Sequence, residues 1–151
     1  MRLAIFSVLL LPAVAWGACP DAAVWAESFY RSHYSFYVGA PSSATLSKTT
    51  EKFGSLLKRE ADFSGGAVGH LDYDPWLGAQ DGDIEKLLFQ VESASGDLVV
   101  VSMQYTFSLN GTSIRERHTV HLVLSKEIGC WRLKDFVTPR GESLSYVYSQ
   151  P

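Results

Sequence analysis

A chain of 151 residues with 46% apolar and 13% aromatic content has enough material for one buried core, which excludes a disordered polypeptide and leaves no room for several domains. The formal net charge of −3 and the absence of any block of five or more Lys/Arg residues give no attraction toward polyanions, so nucleic acid is not an expected partner.

The first residues carry one positive charge, Arg2, then an uncharged apolar run from Leu3 to Val14, then small residues up to Ala18. That order reads as a secretory signal peptide over 1–18, too short to span a bilayer, and leaves 19–151 as a single domain. Ala13-x-Ala15 and Ala15-x-Gly17 both fit a peptidase site and give a soluble periplasmic product. Cleavage before Cys19 would instead give a lipid anchor, the only route by which a membrane enters. The two cysteines, Cys19 and Cys130, form an even count, and in an oxidising compartment they are expected to pair. Their spacing suits neither a redox pair nor a zinc knuckle.

Trp25, Phe29, Phe36 and Tyr37 recur at helical intervals and predict a helix from Asp21 to Tyr37, with Asp21 as its cap. A second helical stripe, Leu46, Phe53, Leu56 and Leu57, runs to about Arg59, and Pro41-Ser42-Ser43 separates the two. Residues 61–83 are rich in Gly and Asp and predict a long acidic loop, in which Phe63, Tyr73, Trp76 and Leu77 could pack inward. Asp72, Asp74, Trp76 and Asp81 are its candidate interaction residues, since carboxylates beside an aromatic suit a basic cleft. Pro75 and a missing Glu break any likeness to a calcium loop.

A strand is expected at about Lys86–Val91, followed by an antiparallel meander. Val99, Val101, Met103, Tyr105, Phe107 and Leu109 alternate with polar residues, and Asn110-Gly111 supplies a two-residue hairpin turn. That turn would pair Tyr105 with Glu116 and Met103 with His118, placing an acid and an imidazole on the apolar face. Pairing Ser125 with Cys130 across the next turn would add Asp135. Tyr105, Glu116, His118 and Asp135 then form a candidate pocket, suited to acid–base chemistry or to a self-satisfied polar cluster. One β-bulge would turn the downstream residues outward. His118 and His121 lie on opposite faces of a strand and cannot share a metal ion, and no cofactor fingerprint is present.

The pairs Phe29-Tyr30, Asp74-Pro75 and Gln80-Asp81, the Trp131-x-Leu133-x-Asp135 strand and the closing Gly141-x-Ser143-Leu144 resemble the domain-of-unknown-function 3828 family of small exported proteins, within the nuclear transport factor 2-like superfamily. The resemblance implies an α+β fold in which two N-terminal helices pack on a curved antiparallel sheet that closes into a cone. It transfers no activity to any residue. The expectation for function is a periplasmic binding or protein-interaction module, one form being an immunity protein that inhibits a delivered toxin. A small acid–base enzyme and a structural envelope component are the alternatives, and the partner is an unspecified protein or small molecule.

Overall fold

The computed structural model describes residues 19–151; the expected signal peptide lies outside the described residues. The chain runs α1 (Ala22–His33), α2 (Ser43–Leu46), α3 (Glu51–Ser64), β1 (Asp83–Ser95), β2 (Leu98–Ser108), β3 (Arg115–Glu127), β4 (Cys130–Val137) and α4 (Leu144–Val147).

α1 buries Ala22, Trp25, Ala26 and Phe29, one stripe at three- and four-residue spacing, against β1 and β2. It gives way to turns after His33, and Phe36 continues the stripe into the core from outside the helix. The second helical stripe is two helices. Thr50 caps α3, its hydroxyl accepting the Phe53 N–H, while Lys48–Thr50 runs beside β4 and interrupts helical bonding after Leu46. α3 continues to Ser64 and stops at Gly65, whose left-handed backbone closes the last turn. Asp21 precedes α1 without a side-chain capping bond.

The four strands pair only with their sequence neighbours, in the order β1-β2-β3-β4, all antiparallel. Here the expectation drawn from family resemblance is overturned. The sheet is open, with β1 and β4 at opposite edges, and three helices precede it rather than two; the closed cone of the nuclear transport factor 2-like fold is not formed. Each edge is managed locally instead of by closure. The β4 edge is covered by backbone bonds from Thr50 to Leu133, Leu133 to Lys48 and Thr138 to Glu142. The β1 edge is broken by two bulges, one of them at Lys86 with φ 53°.

The two-residue hairpin turns are Gly96-Asp97 and Ile128-Gly129, while Asn110-Gly111 sits inside a longer loop. That loop spans 109–114 and is held by bonds from Thr112 N and Oγ1 to Leu109 O and from Ile114 N to Thr112 Oγ1. Both expected registers therefore move by two residues: Tyr105 faces His118, Phe107 faces Glu116, and Glu127 rather than Ser125 faces Cys130. A slip of two preserves strand parity, so the core face of β2 and β3 is the expected one. The core comprises that face, the inner sides of α1 and α3, Leu133 and Phe136 of β4, and Trp76.

Cys19 and Cys130 are joined by a disulfide, which ties the start of α1 to the β3–β4 hairpin across 111 residues. The Trp131 indole adds a hydrogen bond to the Pro20 carbonyl at the same junction.

Candidate functional site

The sequence-derived pocket assembles in part. Tyr105 and His118 meet on the core side of the sheet, and the Tyr105 hydroxyl donates to the Trp76 carbonyl. His118 Nδ1 lies 3.0 Å from the Leu77 carbonyl, which can only accept, so Nδ1 carries the proton. The ring stacks on Phe107 at 4.7 Å, and Nε2 reaches Glu116 at 3.3 Å. Glu116 is turned outward, its side chain 62% exposed. Tyr105 and His118 thus clamp the 76–77 stretch of the long loop onto the sheet, and the space that a substrate would need is occupied by that loop.

Asp135 does not join them. Leu133 and Phe136 are both fully buried although three residues apart on a strand, which requires an extra residue at Lys134. The bulge pairs Asp135 with Val123 on the opposite face. There its carboxylate accepts from the Ser143 hydroxyl at 2.6 Å and the Ser145 N–H at 2.9 Å, anchoring the start of α4.

The four loop candidates separate in the same way. Trp76 is 0% exposed and forms the centre of the aromatic core, edge-on to Tyr30, Phe36 and Phe136 and stacked on Tyr34. Its indole N–H donates to the Tyr34 carbonyl at 2.8 Å. It cannot serve as a surface contact residue, because nothing of it reaches solvent. Asp74 orders the loop from inside, accepting the Tyr34 hydroxyl at 2.6 Å and the Trp76 N–H at 2.8 Å. Burial and this carboxylate together hold the Tyr34 and Tyr37 phenols well above the ordinary range. Asp72 and Asp81 are exposed, and Asp81 accepts from Asn110 in the β2–β3 loop.

One open concavity, of about 500 Å³, lies between the end of α3, the turn at 37–39 and the loop at 66–74. Tyr37, Leu71, Tyr73 and Tyr148 supply aromatic and apolar wall; Glu60, Asp72 and Asp74 supply carboxylates. Val38 and Val68 also line it, 62% and 71% exposed. Tyr73 is pinned by Glu142 and Thr138, and burial and the Glu142 carboxylate push its phenol up to about 12.

One wall is set by a pair of residues that the sequence does not point to. Glu60 reads as one more charge on a solvated helix, yet it is buried and holds His70 twice, through the backbone N–H at 2.8 Å and through Nδ1 at 2.5 Å. Phe63 stacks on the imidazole at 4.1 Å. Nε2 of His70 is buried and has no hydrogen-bond partner among the described residues. The pair pins the glycine-bearing segment to α3, and Gly69 is needed for it, since a Cβ there would fall 2.0 Å from Glu60 Oε1. Among the described residues no group of three or more His, Cys, Asp or Glu side chains is placed to hold a metal ion.

No protein-family model matches this chain, and no match was found among curated proteins or among solved structures.

Proposed function

We propose that the protein works in an oxidising compartment of the cell envelope as a non-catalytic binding module, and that it receives its partner in the concavity between α3 and the 66–74 loop. The observation that carries the reading is the exposure of Val38 and Val68 at an open hollow whose other walls are rigidly held. Exposed aliphatic side chains gathered at a concave site are a usual mark of a contact surface. Holding the walls fixed lowers the ordering cost of association.

The disulfide supports the compartment, because such bonds persist where thiols are not kept reduced. A sulfur engaged in that bond is also unavailable for a lipid thioether. Acid–base catalysis is supported less well: Tyr105 and His118 are spent on fastening the loop, Glu116 lies outside, and Asp135 is on the other face. The test is capture from an envelope extract with the wild type, with Val38→Ser/Val68→Ser, and with Val24→Ser on the exposed side of α1. A partner bound by the wild type and the Val24 variant but released by the double variant supports the reading. Equal recovery on all three contradicts it.

A further inference from the structure

We infer that the concavity accepts a cationic side chain, a guanidinium or an ammonium group, presented by an extended segment of the partner protein with an apolar residue beside it. This rests on the binding reading above and adds the chemical class of what is bound.

Three carboxylates line the hollow and no Lys or Arg does. The groups that already touch Asp74 leave its charge standing, whereas buried Glu60 has both oxygens engaged by His70 and is not free for a ligand. Asp74 is held by the Tyr34 phenol and the Trp76 backbone N–H. Neutral donors orient a carboxylate without cancelling its charge, and Asp72 makes no side-chain hydrogen bond among the described residues. The nearby cation, Arg140, gives its Nε–H to the Gly78 carbonyl at 2.7 Å and forms no ion pair with any of the three.

The walls suit the same ligand independently of the acids. Phenol rings attract a cation through their faces, and the Tyr73 ring already takes the Arg140 guanidinium at 3.9 Å. Val38 and Val68, exposed at the same hollow, suit branched aliphatic side chains flanking a basic residue better than the short, charge-interrupted methylene runs of a free polyamine. A volume of about 500 Å³ exceeds what one arginine side chain fills, leaving space for such a neighbour.

The experiment is a backbone-amide NMR titration of the full protein with acetyl-Val-Arg-Val-amide, its citrulline counterpart, and spermidine. Citrulline keeps the shape of arginine and removes the charge. The expected result is that the arginine peptide perturbs amides at 37–39 and 66–72, with the citrulline peptide at least about fivefold weaker. Asp72→Asn and a rise from about 0.05 to about 0.5 M salt should each weaken the arginine peptide several-fold. Equal binding of the two peptides, indifference to Asp72→Asn, or perturbation confined to other surfaces overturns the inference, and spermidine binding as tightly as the peptide overturns the side-chain source. If partner capture still depends on Val38 and Val68 while charge selectivity fails, the binding reading survives and only the ligand class is wrong.

Discussion

Replacing Trp76 by alanine tests whether the long loop is part of the core or an appendage to it. Trp76 contributes a fully buried indole that meets four other aromatic rings and donates to the Tyr34 carbonyl. Truncating a buried tryptophan to alanine costs about 3–5 kcal/mol through lost transfer energy and the cavity left behind. The orphaned Tyr34 carbonyl adds about 1 kcal/mol, less if water enters the cavity to bond it. Against a total stability of about 5–15 kcal/mol this is a large fraction, and the midpoint of thermal unfolding should fall by about 10–20 °C. Trp76→Phe keeps most of the packing and loses the N–H, so it should cost about 1–3 kcal/mol. Urea unfolding followed by far-ultraviolet circular dichroism measures both variants without relying on tryptophan emission. A loss below about 1 kcal/mol for Trp76→Ala would show that the loop is loosely attached and that the walls of the proposed site are not rigid.

Other outcomes follow from the same packing. The Tyr73 phenol is raised from 10.0 to about 12, and burial raises Tyr34, Tyr37, Tyr105 and Tyr148 as well. Below pH 10 these phenols are neutral in both states; above it the unfolded chain ionises first and binds fewer protons, so stability falls as pH rises from about 10 through 12. Phenolate absorbance should accordingly appear later in the folded than in the urea-unfolded protein. Ile128 is a β-branched residue at φ 47°, 94% exposed at the tip of the β3–β4 hairpin, and Ile128→Asn should stabilise by about 1 kcal/mol in urea melts because asparagine tolerates that backbone. Cys130→Ser opens a cross-link across 111 residues and should cost about 2–4 kcal/mol, with the same loss in wild type treated with reductant. Gly69→Ala should separate Glu60 from His70, seen as a changed imidazole shift by NMR together with a loss of about 1–3 kcal/mol.

The sequence pattern carried the elements further than it carried their connections. Alternation along β2 identified its core face, and that face survived the two-residue slip at Asn110-Gly111 because parity, not register, decides what points inward. Asn110-Gly111 is a good turn former locally, but Asn110 is drawn to Asp81 and the loop lengthens to reach it. At Lys134 nothing in the local sequence announces a bulge, and it was enough to move Asp135 from the expected pocket to the opposite face. Trp76 was legible as an aromatic that could pack; its neighbours carried surface character, and only the tertiary structure makes it the centre of the core. Short, degenerate motifs could not specify sheet closure, which depends on how far strands bend and what covers their edges. Glu60 and His70 left the weakest trace, since a charge in a mixed helix and a histidine among glycines are both ordinary surface features.

The most direct measurement of the central claim is site-specific photo-crosslinking in living cells, with the reactive side chain placed in turn at Val38, Val68 and Val24. The account predicts one shared adduct from positions 38 and 68 and none from 24. No adduct at the first two positions, or the same adduct at all three, would contradict it.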